Sequence, residues 1–349
     1  MDLSVSDEQR DLRETLAAFF AKESTVERVR AAEPTGFDLG LWEKVAAMGL
    51  PSMAVGEDLG GGGAALLDLV FTAEEFGRRI PPVPLIESVV ATNLLGRLRA
   101  LGDSEATGEL LARAVAGDAL VTVALEPLRA GVARLAPAGA VADAVVALDG
   151  DQVVAFRSDV GPGSPLEVPS NLGTAPIADR GAGIDERVVL ATGPEARRAF
   201  EVARQEWQLL MAAALVGLAQ TALEMGSEYA QQRRAFGVLI ASFQTVQHRL
   251  ADSVTALEGA RLLTYEAGWS ADEGLPNAGA LAAMAFLFTS EVAFRIAGES
   301  LHFHGGYGYT LEYDVQLYFR RAKAWPLAYG DPRDGYQELA GRLFEDGER

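Results

Sequence analysis

Leu209-Leu210-Met211-Ala212-Ala213-Ala214-Leu215-Val216-Gly217-Leu218-Ala219 is apolar on every face of a helix, with no polar stripe to turn toward water. Such a helix belongs in the middle of a bundle, because a surface helix keeps one polar face. The stretch sits inside a longer helical pattern, Ala196 to Gln232, and three more follow: Phe243 to Trp269, Asn277 to Phe303, and about Arg333 to Phe344. This spacing predicts a four-helix-type bundle over residues 194–349. The apolar run itself is too short to cross a bilayer, so no membrane span is expected.

Upstream, Ser6-Asp7-Glu8-Gln9 is a capping-box signature, and Leu12, Leu16, Phe19 and Phe20 then recur on one helical face. Further helices are expected over Leu41 to Met48, stopped by Gly49, over Ala65 to Phe76, stopped by Gly77, and as one or two segments between Leu85 and Ala116. The glycine run Gly60 to Gly63 and the stretch Pro81-Pro82-Val83-Pro84 break these patterns. Residues 1–117 therefore form an N-terminal helical domain. From Ala119 the period changes. Leu120 to Leu125, Val141 to Leu148, Val153 to Phe156 and Val188 to Leu190 are short, β-branched runs separated by Gly, Pro, Asp and Ser, and they read as strands of a small β domain over 118–193. The fold class is mainly α with a small β domain.

The 349 residues are 49% apolar, enough for a substantial core. Lys plus Arg total 30 against 49 Asp plus Glu, and the formal charge of −19 repels a phosphate backbone, which argues against nucleic-acid binding. Cysteine is absent, so disulfides, a thiolate nucleophile, Fe–S clusters and Cys-based zinc sites are excluded. The acidic start MDLSVSDEQRDLRETL lacks the apolar core of a signal peptide, and a cytoplasmic location is expected. No Walker loop, no G-x-G-x-x-G after a strand, no G-x-S-x-G and no H-E-x-x-H is present.

Two segments carry chemistry. Arg233-Arg234-Ala235-Phe236-Gly237 follows a helix and leads into Phe243-Gln244, where a guanidinium can grip a pyrophosphate or simply complement a helix C-terminus. His302-Phe303-His304-Gly305-Gly306-Tyr307-Gly308-Tyr309-Thr310 ends a long helix with three glycines in four positions, which lets a backbone turn sharply and approach a ligand. The two histidines point to different faces and no third ligand type clusters nearby, so no metal site is expected.

Together these pieces resemble the acyl-CoA dehydrogenase family over nearly the whole chain. The resemblance is carried by Asp7-Glu8-Gln9, Leu41-Trp42 to Met48-Gly49-Leu50, the four glycines from Gly60, and Glu74-Glu75-Phe76-Gly77. In the C-terminal part it is carried by Val216-Gly217-Leu218-Ala219-Gln220, Tyr229 to Gly237, Phe243-Gln244, His304 to Thr310, and Arg320-Arg321-Ala322-Lys323. It implies FAD as cofactor and an acyl-CoA substrate between a helical domain, a β domain and a four-helix bundle, with bundles packed into oligomers. Carried over residue by residue, it places Arg233, Phe236, Gln244, Gly305 and Gly306 on the pyrophosphate and adenosine of an FAD bound mainly by the neighbouring subunit. His302 stands where the family commonly has Gln and retains a hydrogen-bond donor.

The chain departs from the family in two places. Where the family grips the flavin ring with a T-E-P-x-x-G-S-D stretch, this sequence has Ala124-Leu125-Glu126-Pro127-Leu128-Arg129-Ala130-Gly131-Val132, and nothing resembles the family's W-I-T-N strand. The second departure concerns the carboxylate that removes the α-proton. One family position for it falls on Tyr329 and the alternative on Trp207. Glu206 is adjacent to the latter, but one helical step turns a side chain by about 100°.

These joint losses resemble actinobacterial heteromeric acyl-CoA dehydrogenases acting on steroid side-chain thioesters, in which two family chains form a heterotetramer and one contributes chiefly the adenosine side. The resemblance thus implies the flavin-grip-poor subunit of an FAD-dependent enzyme performing α,β-dehydrogenation of a steroid or other lipid acyl-CoA, sharing FAD with a second family chain. Electron-transfer flavoprotein is the acceptor the family implies. The competing expectations are a self-sufficient homo-oligomer using Glu206 as base and a non-catalytic acyl-CoA-binding scaffold.

Overall fold

The computed structural model describes residues 5–102, 104–181 and 185–344, so the outermost ends of the expected 1–117 and 194–349 spans lie outside the described residues. Its elements, in chain order, are α1 (Asp7–Glu23), α2 (Val26–Ala31), α3 (Leu39–Ala47), α4 (Leu66–Arg79), α5 (Leu85–Leu101) and α6 (Glu105–Ala116), then β1 (Val121–Val123), β2 (Val132–Ala136), β3 (Ala144–Asp149), β4 (Gln152–Arg157), β5 (Ala178–Gly181) and β6 (Glu186–Thr192). They continue with α7 (Pro194–Gln232), β7 (Arg234–Ala235), β8 (Val238–Leu239), α8 (Gln244–Asp272), α9 (Ala278–Phe303), α10 (Val315–Ala324) and α11 (Pro332–Phe344). The chain is mostly helical with a small sheet region, as its periodicity predicts. It divides into two compact units, one of residues 1–29, 70–81 and 208–349, the other of residues 30–69 and 82–207.

In the first unit, α1 begins with the expected capping box: the Gln9 N–H donates to Ser6 Oγ and the Ser6 N–H to Gln9 Oε1, each at 3.1 Å. The reciprocal pair satisfies donors that a helix N-terminus leaves open. Gly77 does not stop α4, contrary to the sequence expectation; the helix runs on to Arg79. A Cβ at Gly77 would lie 1.8 Å from the Ala214 carbonyl oxygen, and one at Gly217 would lie 1.9 Å from that of Glu74. The two glycines thus let α4 and α7 cross backbone to backbone, a packing role rather than a terminating one.

That crossing holds Glu74 inside the unit, 1% exposed. Its Oε1 accepts from Arg261 Nε at 3.1 Å and its Oε2 from the Tyr265 hydroxyl at 2.6 Å, while Arg13 stands 3.6 Å from Oε1. Arg261 also donates to Gln220 Oε1 at 2.8 Å. One carboxylate thereby ties α1, α4, α7 and α8 together, and burial with Glu74 beside it pushes the Tyr265 hydroxyl well above its ordinary value.

α7 and α9 are long and apolar enough by length and composition to cross a membrane, although the unbroken apolar run alone predicted no span. Burial of 78% and 67% of their most apolar stretches matches what core helices of a bundle require.

In the second unit the main sheet has the order β1-β3-β4-β6, with β1 parallel to β3 and the other pairs antiparallel. Ala144 to Leu148 and Val153 to Phe156 are buried at every position, which explains their continuous apolar runs. β2 and β5 form a separate two-stranded ladder with a register shift between Ala133 and Ala136. Arg180 on β5 is fully buried; it pairs with Asp185 at 2.6 Å and donates to the carbonyls of Gly139 and Ala142 at 3.0 and 2.8 Å.

Candidate functional site

In the first unit, α7 ends by handing its chain to a tight hairpin. The Arg233 N–H donates to the Tyr229 carbonyl and the Ile240 N–H to the Arg233 carbonyl, both at 2.9 Å, and β7 pairs with β8 through Arg234 and Leu239 and through Ala235 and Val238. The two turn residues, Phe236 and Gly237, have φ of +53° and +85°, the left-handed pair that a two-residue hairpin needs. Phe236 is 97% exposed, an unusual place for a phenyl ring.

Beneath the hairpin, Ala230 of α7, Val246 of α8 and Phe303 of α9 form a buried cluster flanked by Ile240, Ala241 and Phe243. This cluster gathers three helix ends. It joins the chain segments that carry Arg233, Gln244 and His302, each within three residues of a cluster member, although Arg233 and His302 stand 69 residues apart in sequence. All three are exposed, and among the described residues Arg233 has no acidic partner. The Tyr229 ring stacks on His304 with centroids 4.1 Å apart at 23°, and His304 Nδ1 donates to the Ser300 carbonyl at 2.7 Å. Burial holds the His304 imidazole below its ordinary pKa. Gly305 follows with φ +62°, and a Cβ at Gly305 or Gly306 would meet nothing within 4 Å, so this backbone lies open to an approaching ligand. An uncommitted guanidinium, an amide, an imidazole and an open glycine turn fit the anionic and hydrogen-bonding demands of a nucleotide pyrophosphate.

The second unit holds the remaining expected positions except Tyr329. Trp207 is fully buried, and its indole N–H donates to Glu87 Oε1 on α5 at 3.3 Å. Glu206, 6% exposed, has both carboxylate oxygens occupied by the Arg97 guanidinium, Nη1 to Oε2 at 3.0 Å and Nη2 to Oε1. The stretch expected to grip a flavin presents a buried Leu125, whose carbonyl accepts from Arg204 Nε at 2.8 Å, and a Glu126–Arg129 pair at 2.8 Å; it offers no hydroxyl side chain. Tyr329, back in the first unit, is buried against Phe286 with its hydroxyl 3.3 Å from Glu338 Oε2.

Glu87 is the residue that sequence reasoning passed over. Its signal was a lone acid in the apolar run Leu85-Ile86-Glu87-Ser88-Val89-Val90, which reads as an ordinary first-turn acid complementing a helix dipole.

The mainly helical fold and the hairpin-and-glycine site define a class already resembled by the sequence. The acyl-CoA dehydrogenase C-terminal domain model matches residues 196–331 and the acyl-CoA dehydrogenase N-terminal domain model matches residues 6–118. The chain belongs to the acyl-CoA dehydrogenase family, oxidoreductases acting on CH–CH groups. It is 30% identical to acyl-CoA dehydrogenase IpdE2 of Mycolicibacterium smegmatis over 97% of this chain and all of that protein. Among solved structures it superposes on a chain of the ChsE4–ChsE5 complex from Mycobacterium tuberculosis with a TM-score of 0.86 and 27% identity over 99% of this chain and 99% of that one. A variant of the Tcur3481–Tcur3483 steroid ACAD gives a TM-score of 0.85 and 25% identity over 98% of this chain and 99% of that one.

Proposed function

We propose that this chain is one subunit of an FAD-dependent acyl-CoA dehydrogenase that completes its flavin site with a second family chain. The reaction is α,β-dehydrogenation of an acyl-CoA thioester with a steroid side-chain or other lipid acyl group, carried out in the cytoplasm with electron-transfer flavoprotein as acceptor. The observation that carries this reading is a contrast within one molecule: the adenosine-side group of Arg233, Gln244, His302, Gly305 and Gly306 is assembled and exposed, whereas the flavin-side stretch at Leu125 to Arg129 offers no hydroxyl and neither Trp207 nor Tyr329 is a carboxylate. The ChsE4–ChsE5 complex, a structure of two different chains, and the Tcur3481–Tcur3483 steroid ACAD support the heteromeric and steroid parts of the reading.

Bound FAD supplies the hydride acceptor for the β-hydrogen. The residues of this chain bind and orient. Arg233 offers a charge-assisted fork to a diphosphate, Gln244 and His302 donate hydrogen bonds, and the glycine turn admits a close backbone approach. The Glu206 alternative is disfavoured because both carboxylate oxygens are already committed to Arg97.

Purification of the chain alone and after co-expression with a neighbouring family gene tests the reading. A colourless or weakly coloured lone chain that becomes a yellow, active hetero-oligomer is expected, and a yellow, active homo-oligomer of the lone chain would sink it. Arg233→Ala should weaken FAD retention in the complex by about 1.5–3 kcal/mol, the worth of one charge-assisted contact. Unchanged retention would instead favour a scaffold that uses the bundle for assembly alone.

A further inference from the structure

A cavity of about 210 Å³ lies wholly within the first unit, between the end of α1, α2, the end of α4 and α10, and shares no residue with the groups described above. Val29, Ile80 and Leu317 are buried and form its inner wall, whereas Ala21, Thr25 and Arg79 are exposed at its mouth. The inner hydroxyls are already engaged with the end of α4: Tyr318 donates to the Arg78 carbonyl and Ser24 to the Arg79 carbonyl, both at 3.1 Å. Burial holds the Tyr318 hydroxyl up at about 12, so it stays neutral. The interior is therefore uncharged and suits a hydrocarbon body. The mouth differs. No Asp or Glu lines the cavity, and the charged groups acting most on Tyr318 are three cations, Arg79, Arg321 and Arg78, against one acid, Asp314. Arg78 is answered by Glu75 and Glu224, but Arg79 makes no ion pair among the described residues. In a chain with 49 acids and 30 bases, a guanidinium left open beside a cavity is an exception that a ligand anion would answer. The wall itself is strained. Ile80 holds φ +43° with its side chain 2% exposed, a left-handed conformation that is costly for a β-branched residue and free for glycine. The fold keeps that strain and with it a branched side chain in the cavity wall, and such strain concentrates at ligand sites.

We propose that this cavity binds a small amphipathic monocarboxylate, its ring or branched hydrocarbon body against Val29, Ile80 and Leu317 and its carboxylate on the Arg79 guanidinium, with the Thr25 hydroxyl as second donor. The planar guanidinium matches a carboxylate in two-pronged geometry. Thr25 Oγ1 accepts from the Arg28 N–H at 3.4 Å, which leaves its O–H to donate. One cation and one hydroxyl answer a carboxylate, whereas a phosphate brings more charge and three acceptor oxygens. The volume sets the size: benzene fits a cavity of about 150 Å³, so this one takes a six-membered ring. The site uses none of the residues assigned to FAD and does not rest on the subunit reading.

Ligand-observed NMR titrations of the chain, alone and in its co-expressed complex, with cyclohexanecarboxylate and cyclohexanecarboxamide, and with inorganic phosphate as competitor, test this. The carboxylate should bind with a Kd of ~0.1–1 mM, as expected of so small a ligand. It should bind about tenfold more tightly than the neutral amide, the worth of one charge-assisted contact. Arg79→Gln should erase that difference and leave the affinity for the amide unchanged, and Ala21→Trp should block both ligands. Arg79 and Ala21 are exposed, so neither variant removes core packing. Phosphate at equal concentration should not displace the carboxylate, and cyclohexanecarbonyl-CoA added to the complex should leave it bound. Absence of binding, equal affinity for acid and amide, or a preference that survives Arg79→Gln each overturn the proposal. Displacement by phosphate overturns it by making Arg79 a plain anion contact, and displacement by the thioester overturns it by making the cavity part of the acyl site. None of these outcomes bears on FAD retention, which decides the subunit reading separately.

Discussion

Glu74 in the first unit and Glu87 in the second are both carboxylates set into largely buried helices, and their environments are opposite. Glu74 is met by two guanidiniums and a phenol, so its charge is matched on every side and the group serves as a knot between four helices. Glu87 meets one indole at 3.3 Å and, among the described residues, no cation. The difference teaches that burial of an acid does not by itself mark a functional site; what matters is whether the protein itself has answered the charge. An answered carboxylate holds structure together, whereas an unanswered one is left to be answered by a proton.

The largest effect should come from breaking the knot. Glu74→Ala removes the acceptor of the Tyr265 hydroxyl and one carboxylate from Arg261 and Arg13, which keep Glu258 and Glu75 as partners, and a loss of about 2–4 kcal/mol is expected from urea denaturation. A loss below about 1 kcal/mol would mean that the crossing of α4 and α7 at Gly77 and Gly217, not the charge, holds this region. An intermediate case lies in the second unit: Arg97→Ala leaves Glu206 without its guanidinium, but Arg97 is one-third exposed and water can substitute, so about 1–3 kcal/mol is expected. Combining it with Glu206→Gln should recover part of that loss, since the two act as one pair.

The smallest effect is expected at Glu87 itself. Glu87→Gln should change stability at pH 5 by less than about 1 kcal/mol, because no ion pair is lost. Its signature is in the pH profile. The folded state raises the carboxyl above its ordinary value of 4.5, so it holds the proton more tightly than the unfolded chain. That stabilisation is complete below about pH 4.5 and declines as pH rises through the folded-state pKa. Denaturation midpoints from pH 4 to 9 should therefore fall less steeply in Glu87→Gln than in the wild type. Parallel profiles would show that Glu87 ionises freely and would erase the contrast with Glu74.

Much of this architecture was legible in local pattern. The capping box of α1, the strands around Val146 and Val154, and the all-apolar core of α7 announce themselves because each depends on residues within a turn or a strand of one another. The features that escaped are non-local. β2, with an exposed Leu135 and a register shift, shows no clean alternation, and its partner β5 lies more than 40 residues away. Gly77 looks like a helix stop until Ala214 is placed against it. Of the expected site, Arg233, Gln244 and the glycine turn were recognisable as family motifs, while the cluster of Ala230, Val246 and Phe303 that gathers them was visible only as unremarkable apolar positions.

By itself, then, the sequence determined the family, the helical and β segments, the conspicuous lack of a carboxylate at Trp207 and Tyr329, and the retained phosphate-side motifs, since these follow from residue identity, order and short-range periodicity. Only the tertiary structure decided which of the chain's acids are spoken for. Glu206 looked like the nearest substitute base until Arg97 closed on it, and Glu87, unremarked in the sequence, meets the Trp207 indole only through the fold. Charge neutralisation and desolvation act through space over a few ångströms, and those distances exist only once segments far apart in the chain have packed.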